Sequence, residues 1–151
     1  MKLPVKETKK ITEDLVKLLG VDAEVDVQDQ KESLSVSLDS EKYKGLLIGY
    51  RGETLNAIQS FVAMALKNKT GEWYRVAVNV GDWREKQEDY LKSLALSALS
   101  RARATNEPQP LYNLNASQRR TIHLYLSSEK DVETESFGEG KERYLIVRLK
   151  K

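Results

Sequence analysis

The chain has 151 residues, 40% hydrophobic and 32% charged, with a formal net charge of +2. That is room for one domain or two small ones with an ordinary core and a well-solvated surface. With no cysteine and a single histidine, a disulfide scaffold, thiol catalysis and a Cys- or His-built metal centre are excluded, and no cofactor is expected. Met1 to Glu7 lack the apolar core of a signal peptide. No stretch reaches the roughly 20 apolar residues that span a bilayer, so a cytoplasmic location without membrane insertion is expected.

The small net charge hides an asymmetry. Residues 1–40 hold 6 Lys/Arg against 9 Asp/Glu, a balance of −3, whereas residues 41–151 hold 19 against 14, a balance of +5. The positive excess is either ordinary surface scatter or the footprint of an anionic partner.

In chain order, residues 5–19 read as an amphipathic helix with Ile11, Leu15, Leu18 and Leu19 on one face and Gly20 as the stop. Two strands follow, on the alternations Ala23, Val25, Val27 and Leu34, Val36, Leu38, joined by a turn over Asp29 to Glu32. Ser40 is placed to cap a short helix over residues 41–48. After Gly52 a longer helix carries Leu55, Ile58, Val62, Ala65 and Leu66, and a third strand alternates Tyr74, Val76, Val78, Val80 before Gly81. The order is helix–strand–strand–helix–helix–strand, and a domain over residues 1–81 is expected.

A second domain, over residues 82–151, opens on Asp82-Trp83-Arg84-Glu85, which has the form of a capping box. A helix to about Ala104 would bury Leu91, Leu94, Ala95, Ala98 and Ala102. Residues 106–113, with Pro108 and Pro110, read as linker or short strand. Asn115 to Gln118 is another capping box, opening a helix to about Ser128, and residues 132–136 and 144–149 form a hairpin about residues 137–140.

Two clusters carry chemistry. Between the central helices of the first half stands Ile48-Gly49-Tyr50-Arg51-Gly52. Glycines at this spacing let a chain turn tightly and bring backbone N–H groups close to a phosphate. The positive end of the following helix and the Arg51 charge favour the same ligand. In the second half, Arg119 and His123 lie four apart on one helical face, with Arg120 beside them and Ile122 and Leu126 towards the core. Two guanidiniums and an imidazole suit adjacent phosphates, and His123 can stack on a base. The plainer alternative makes His123 a helix-face histidine bonded to a backbone carbonyl. Lys42 and Lys44 either extend the positive patch or are solvated surface, and Trp83 and Tyr112 read as packing residues. The sequence lacks G-x-x-x-x-G-K-[ST], H-E-x-x-H and G-x-S-x-G, so no enzyme is expected.

The first half, with its Gly49 to Gly52 turn, resembles a type II KH domain. The second resembles the single-stranded nucleic-acid-binding domain named for its R-x3-H motif, here Arg119-Arg120-Thr121-Ile122-His123, with residues 136–140 and Arg143 following. Together, over about residues 5–150, they resemble the bacterial Jag (SpoIIIJ-associated) family. The resemblance implies an α+β chain: an αββααβ KH domain with a three-stranded sheet and helices on one face, then a small α+β R-x3-H domain. It implies a cytoplasmic binder of single-stranded RNA, with single-stranded DNA a second candidate, acting as a post-transcriptional regulator in cell elongation, division or sporulation. A second, smaller KH protein is the implied partner. The implied nucleic-acid contacts are Gly49, Tyr50, Arg51 and Gly52 in the loop and Arg119, Arg120, His123 and Arg143 in the second domain. Ile48 and Leu55 are either an apolar floor under the bases or plain core. Jag-type proteins commonly carry a further amino-terminal domain, whereas this sequence opens on the KH helix, as a natural short form or an excised fragment. Membrane-linked roles of that domain are therefore not expected here. The alternative function is a protein-interaction adaptor with little direct RNA binding.

Overall fold

A computed structural model describes residues 2–151, which divide into two compact units, Met1–Arg84 and Glu85–Lys151. In the first, helix α1 (Leu3–Leu18) leads into strands β1 (Glu24–Gln30) and β2 (Ser33–Asp39). Helices α2 (Lys44–Ile48) and α3 (Glu53–Thr70) and strand β3 (Val76–Val80) complete it. The sheet order is β1-β2-β3, with β1 and β2 antiparallel and β2 and β3 parallel. Because side chains alternate along a strand, Val25, Val27, Leu34, Val36, Leu38, Val76, Val78 and Val80 all enter one core with the helices. Glu24, Asp26 and Ser37 lie on the opposite, solvated face. This is the αββααβ arrangement, with helices on one side of a three-stranded sheet.

Several local expectations need correction. The buried stripe of α1 is Val5, Thr8, Ile11, Thr12 and Val16, with Leu15 partly buried, while Leu18 is 85% exposed. Thr8 and Thr12 can replace leucines there because their hydroxyls donate to the carbonyls of Pro4 (2.6 Å) and Thr8 (2.8 Å), leaving only methyls to pack. The first hairpin turns on Lys31 and Glu32 alone, since Asp29 and Gln30 still pair in β1. Ser40 accepts from the Tyr43 N–H at 3.2 Å, but this caps a turn, and the helix begins only at Lys44.

β3 is an edge strand, and side chains occupy its outer polar groups at Val78 and Val80. Gln59 on α3 accepts from the Val78 N–H at 3.0 Å, and Asn79 accepts from the Val80 N–H at 2.9 Å. Arg84 donates from Nε and Nη2 to the Val78 carbonyl at 2.8 and 2.7 Å, and from Nη2 to Gln59 at 3.0 Å.

In the second unit, helix α4 (Trp83–Thr105, its first two residues in the first unit) buries Leu91, Ala95, Ala98, Leu99 and Ala102. Strand β4 (Gln109–Leu111), helix α5 (Ala116–Leu126) and strands β5 (Val132–Phe137) and β6 (Tyr144–Leu149) follow. The antiparallel sheet runs β4-β6-β5. The hairpin closes further out than the sequence suggests. Phe137 pairs with Tyr144, and the connection is residues 138–143, including a 3-10 turn over Gly140–Glu142. At the start of α5 both capping-box bonds form: Gln118 N–H to Asn115 Oδ1 at 2.8 Å and Asn115 N–H to Gln118 Oε1 at 2.9 Å. Among the described residues no helix is long and apolar enough to cross a membrane.

Candidate nucleic-acid interface

The loop between α2 and α3 is built from an unusual run of backbone angles. Gly49 has φ +70°, and Arg51 and Gly52 follow in the left-handed region with φ +53° and +78°. Each glycine is required twice, once for that conformation and once for space. A Cβ on Gly49 would stand 2.7 Å from the Thr54 Cβ and 2.9 Å from the Thr54 backbone nitrogen. A Cβ on Gly52 would stand 2.6 Å from Cη2 and 2.8 Å from Cζ2 of Trp83. The turn is closed by Gly49 N–H donating to the Gly45 carbonyl at 2.9 Å and Gly52 N–H to the Gly49 carbonyl at 3.3 Å.

The two middle residues stay at the surface. Tyr50 is 69% exposed, and the Arg51 guanidinium lies 5.0 Å from its ring centre, within range of a cation–π contact. Leu55 is fully buried and Ile48 packs on the same core, so these two act as packing residues. Lys44 pairs with Asp39 at 3.6 Å and Lys42 lies over Tyr43. Glu53 opens α3 directly after the loop, complementing the helix dipole but adding a negative charge near any bound phosphate.

The second unit gathers its expected residues from two elements. Arg119, Arg120 and His123 on α5 and Arg143 before β6 line one open groove, with Ala116, Thr134, Ser136 and Leu145. Ile122 and Leu126 anchor the helix beneath it. No carboxylate is among these lining residues. The contrast with other arginines in the unit is direct. Arg103 is tied to Glu129 and Asp131, and Arg148 to Glu133 and Glu135. Arg120 and Arg143 form no ion pair among the described residues. Arg119 is half-buried and donates from Nη1 to the Leu114 carbonyl at 2.7 Å, so it also fixes the segment entering α5.

His123 is exposed, and its Nδ1 meets the Thr134 hydroxyl, not a backbone carbonyl. Thr134 and Ser136 are the groove residues that sequence reasoning passed over. Both share the face of β5 on which Val132 is buried. Of the two aromatics read as packing residues, Trp83 does pack on the first core. Tyr112 is instead 60% exposed, its ring 5.0 Å from that of Tyr144. Among the described residues no cluster of three or more His, Asp or Glu side chains is placed to hold a metal ion.

Known families match both halves. Residues 7–78 match the KH domain of KhpA/KhpB, and residues 89–149 match the R-x3-H domain. Three curated relatives bear the name RNA-binding protein KhpB. That of Bacillus subtilis (strain 168) is 29% identical over 150 residues, 98% of this chain and 72% of the relative. That of Clostridium symbiosum is 30% identical over 133 residues, 88% of this chain and 60% of the relative. That of Lactiplantibacillus plantarum is 32% identical over 137 residues, 91% of this chain and 42% of the relative. The chain thus spans less than two thirds of two of these relatives. This chain carries a KhpA/KhpB-type KH domain followed by an R-x3-H domain, and in that order of domains it is similar to the Jag family.

Proposed function

We propose that the protein binds single-stranded RNA without chemical turnover, through the Gly49–Gly52 loop in one unit and the arginine groove in the other. The observation that carries this reading is the groove, where Arg119, Arg120, His123 and Arg143 converge with no carboxylate among its lining residues. A phosphate backbone is the ligand such a surface suits, because guanidiniums pair with phosphate in two-pronged fashion. The loop in the first unit supports the same reading: two consecutive left-handed residues and two unsubstituted Cα positions allow a backbone to approach closely. The name of the relatives, RNA-binding protein, agrees with this choice of ligand. The loop residues Tyr50 and Arg51 and the groove residues Arg120 and Arg143 are assigned to phosphate. His123, oriented by Thr134, is assigned to a base or sugar. A cytoplasmic location and a role in post-transcriptional control belong to the same reading.

The test is affinity for a single-stranded RNA measured across salt, with single-stranded DNA of the same sequence alongside. Tyr50→Asp/Arg51→Asp puts two carboxylates against phosphate and is expected to abolish the loop's share of binding. Arg120→Ala/Arg143→Ala is expected to flatten the slope of log K against log salt by about 0.7 for each lost phosphate contact. Parent-like affinity and slope in both folded variants would sink the proposal. An adaptor role has its own support in Phe61 and Met64, which stand three apart on α3 and are 46% and 56% exposed. A second, smaller KH protein is the partner proposed for that apolar surface. If adaptor function dominates, Phe61→Glu/Met64→Glu removes protein association while RNA binding in the parent is already negligible.

A further inference from the structure

The glycine loop is supported by a residue that lies beyond the matched KH span of residues 7–78. Gly52 is buried, and the outer ring atoms Cη2, Cζ2 and Cζ3 of Trp83 occupy the space that a side chain there would need. Trp83 is itself held from two directions. Its indole packs on the core of the first unit. Its neighbour Arg84 is fixed through its guanidinium on Val78 and Gln59, and through its backbone N–H, which donates to Asn79 Oδ1 at 3.2 Å. The first turn of α4 is thereby fastened to β3 and α3, with the indole edge against the loop. Arg51 holds a left-handed conformation that costs free energy outside glycine and that an unsupported loop would leave readily, whereas Gly52 beside it adopts the same region freely.

We propose that Trp83 is a positioning residue for nucleic-acid binding: its indole edge braces Gly52 and so keeps Tyr50 and Arg51 in the conformation that meets phosphate. This rests on the loop's assignment to RNA above. Trp83 touches no ligand in this scheme. It acts through Gly52, with Arg84 holding it in register. The functional first unit therefore needs residues 83 and 84 as well as the matched span.

The test is a double-mutant cycle of Trp83→Phe and Gly52→Ala in the full chain, read by RNA affinity and by amide hydrogen exchange at residues 50–52. Phenylalanine keeps an aromatic ring on the core but lacks the reach to Gly52. Trp83→Phe is expected to accelerate exchange at residues 50–52 and weaken RNA binding, with unfolding temperature changed little. Gly52→Ala in the parent suffers both the methyl–indole clash and the left-handed penalty. In the Trp83→Phe background the clash is gone, and the additional loss should shrink to about five- to thirtyfold, the cost of a left-handed alanine. Unchanged amide exchange in Trp83→Phe, or an equal Gly52→Ala effect in both backgrounds, overturns the inference. Tyr50→Asp/Arg51→Asp separates the two proposals. If that variant binds as the parent does, the RNA assignment of the loop fails, while the exchange measurement still decides whether Trp83 braces it.

Discussion

Arg119 and Arg120 are adjacent in sequence yet do different work. Arg120 projects from α5 into the groove without a carboxylate partner, whereas Arg119 commits one guanidinium donor to the Leu114 carbonyl. Removing Arg119 strips that half-buried carbonyl of its charged donor, a loss of roughly 1–3 kcal/mol. Arg119→Ala should therefore lower the unfolding temperature of the second unit, and Arg120→Ala should leave it within error, as a thermal melt by circular dichroism would show. Equal melting of the two variants would mean that the Leu114 bond contributes nothing. The residue scale is also where sequence reading had its limits. Arg119, Arg120 and His123 were visible because helical periodicity alone puts them on one face. Thr134 was not, because its place beside His123 depends on packing between α5 and β5, which no local pattern encodes. Trp83 was read as a packing aromatic, which it is. Which glycine it packs against is a fact of tertiary structure.

Among the elements, α5 carries the groove and its start is set by local chemistry. The reciprocal bonds of Asn115 and Gln118 satisfy backbone donors that a helix start otherwise leaves open. Asn115→Ala should cost about 1 kcal/mol, which in a domain of this size lowers Tm by roughly 4–8 °C. Asn115→Ser should restore most of it. The end of α4 is pinned differently, by Arg103 donating two bonds to Asp131 and one to Glu129. Those hydrogen bonds hold the Asp131 carboxyl below the usual carboxylate range. A carboxylate lowered by folding stabilises the native state fully above its unfolded value, about 3.9, and loses that contribution as pH falls through the folded value. The pair is exposed, so the effect is modest. Melting temperatures of the parent and Arg103→Gln should differ at neutral pH and converge at strongly acidic pH. A gap that persists there would assign the stabilisation to something other than the ion pair. Period-based reading served α3 well, since Leu55, Ile58, Val62 and Leu66 are buried as their spacing requires. It misplaced the face of α1, where threonines that satisfy their own hydroxyls compete with leucines for the core.

At the scale of the whole molecule, the proposed RNA contacts would give a single-stranded ligand two separate grips, one in each unit. Linked weak sites gain affinity through effective concentration only when the ligand is long enough to engage both. The excess positive charge of residues 41–151 adds a salt-sensitive attraction for an anionic strand. The order of elements in each half was legible because strand alternation and helix stripes are short-range signals. The hairpin's extra reach over residues 138–143 was not, because strand pairing is settled between β5 and β6.

The occupied edge of β3 bears on how copies of the protein behave in solution. An open strand edge is a template on which another chain can add a strand, and natural proteins take steps to block it. Here the Val78 N–H and C=O and the Val80 N–H are already bonded to side chains of Gln59, Arg84 and Asn79. The edge is thus occupied at Val78 and Val80 without a proline, a bulge or an extra strand. Gln59→Ala/Arg84→Ala should reopen it and give concentration-dependent self-association, visible by sedimentation, where the parent's sedimentation does not change. If the variant sediments as the parent does, those side chains are not what keeps neighbouring copies apart.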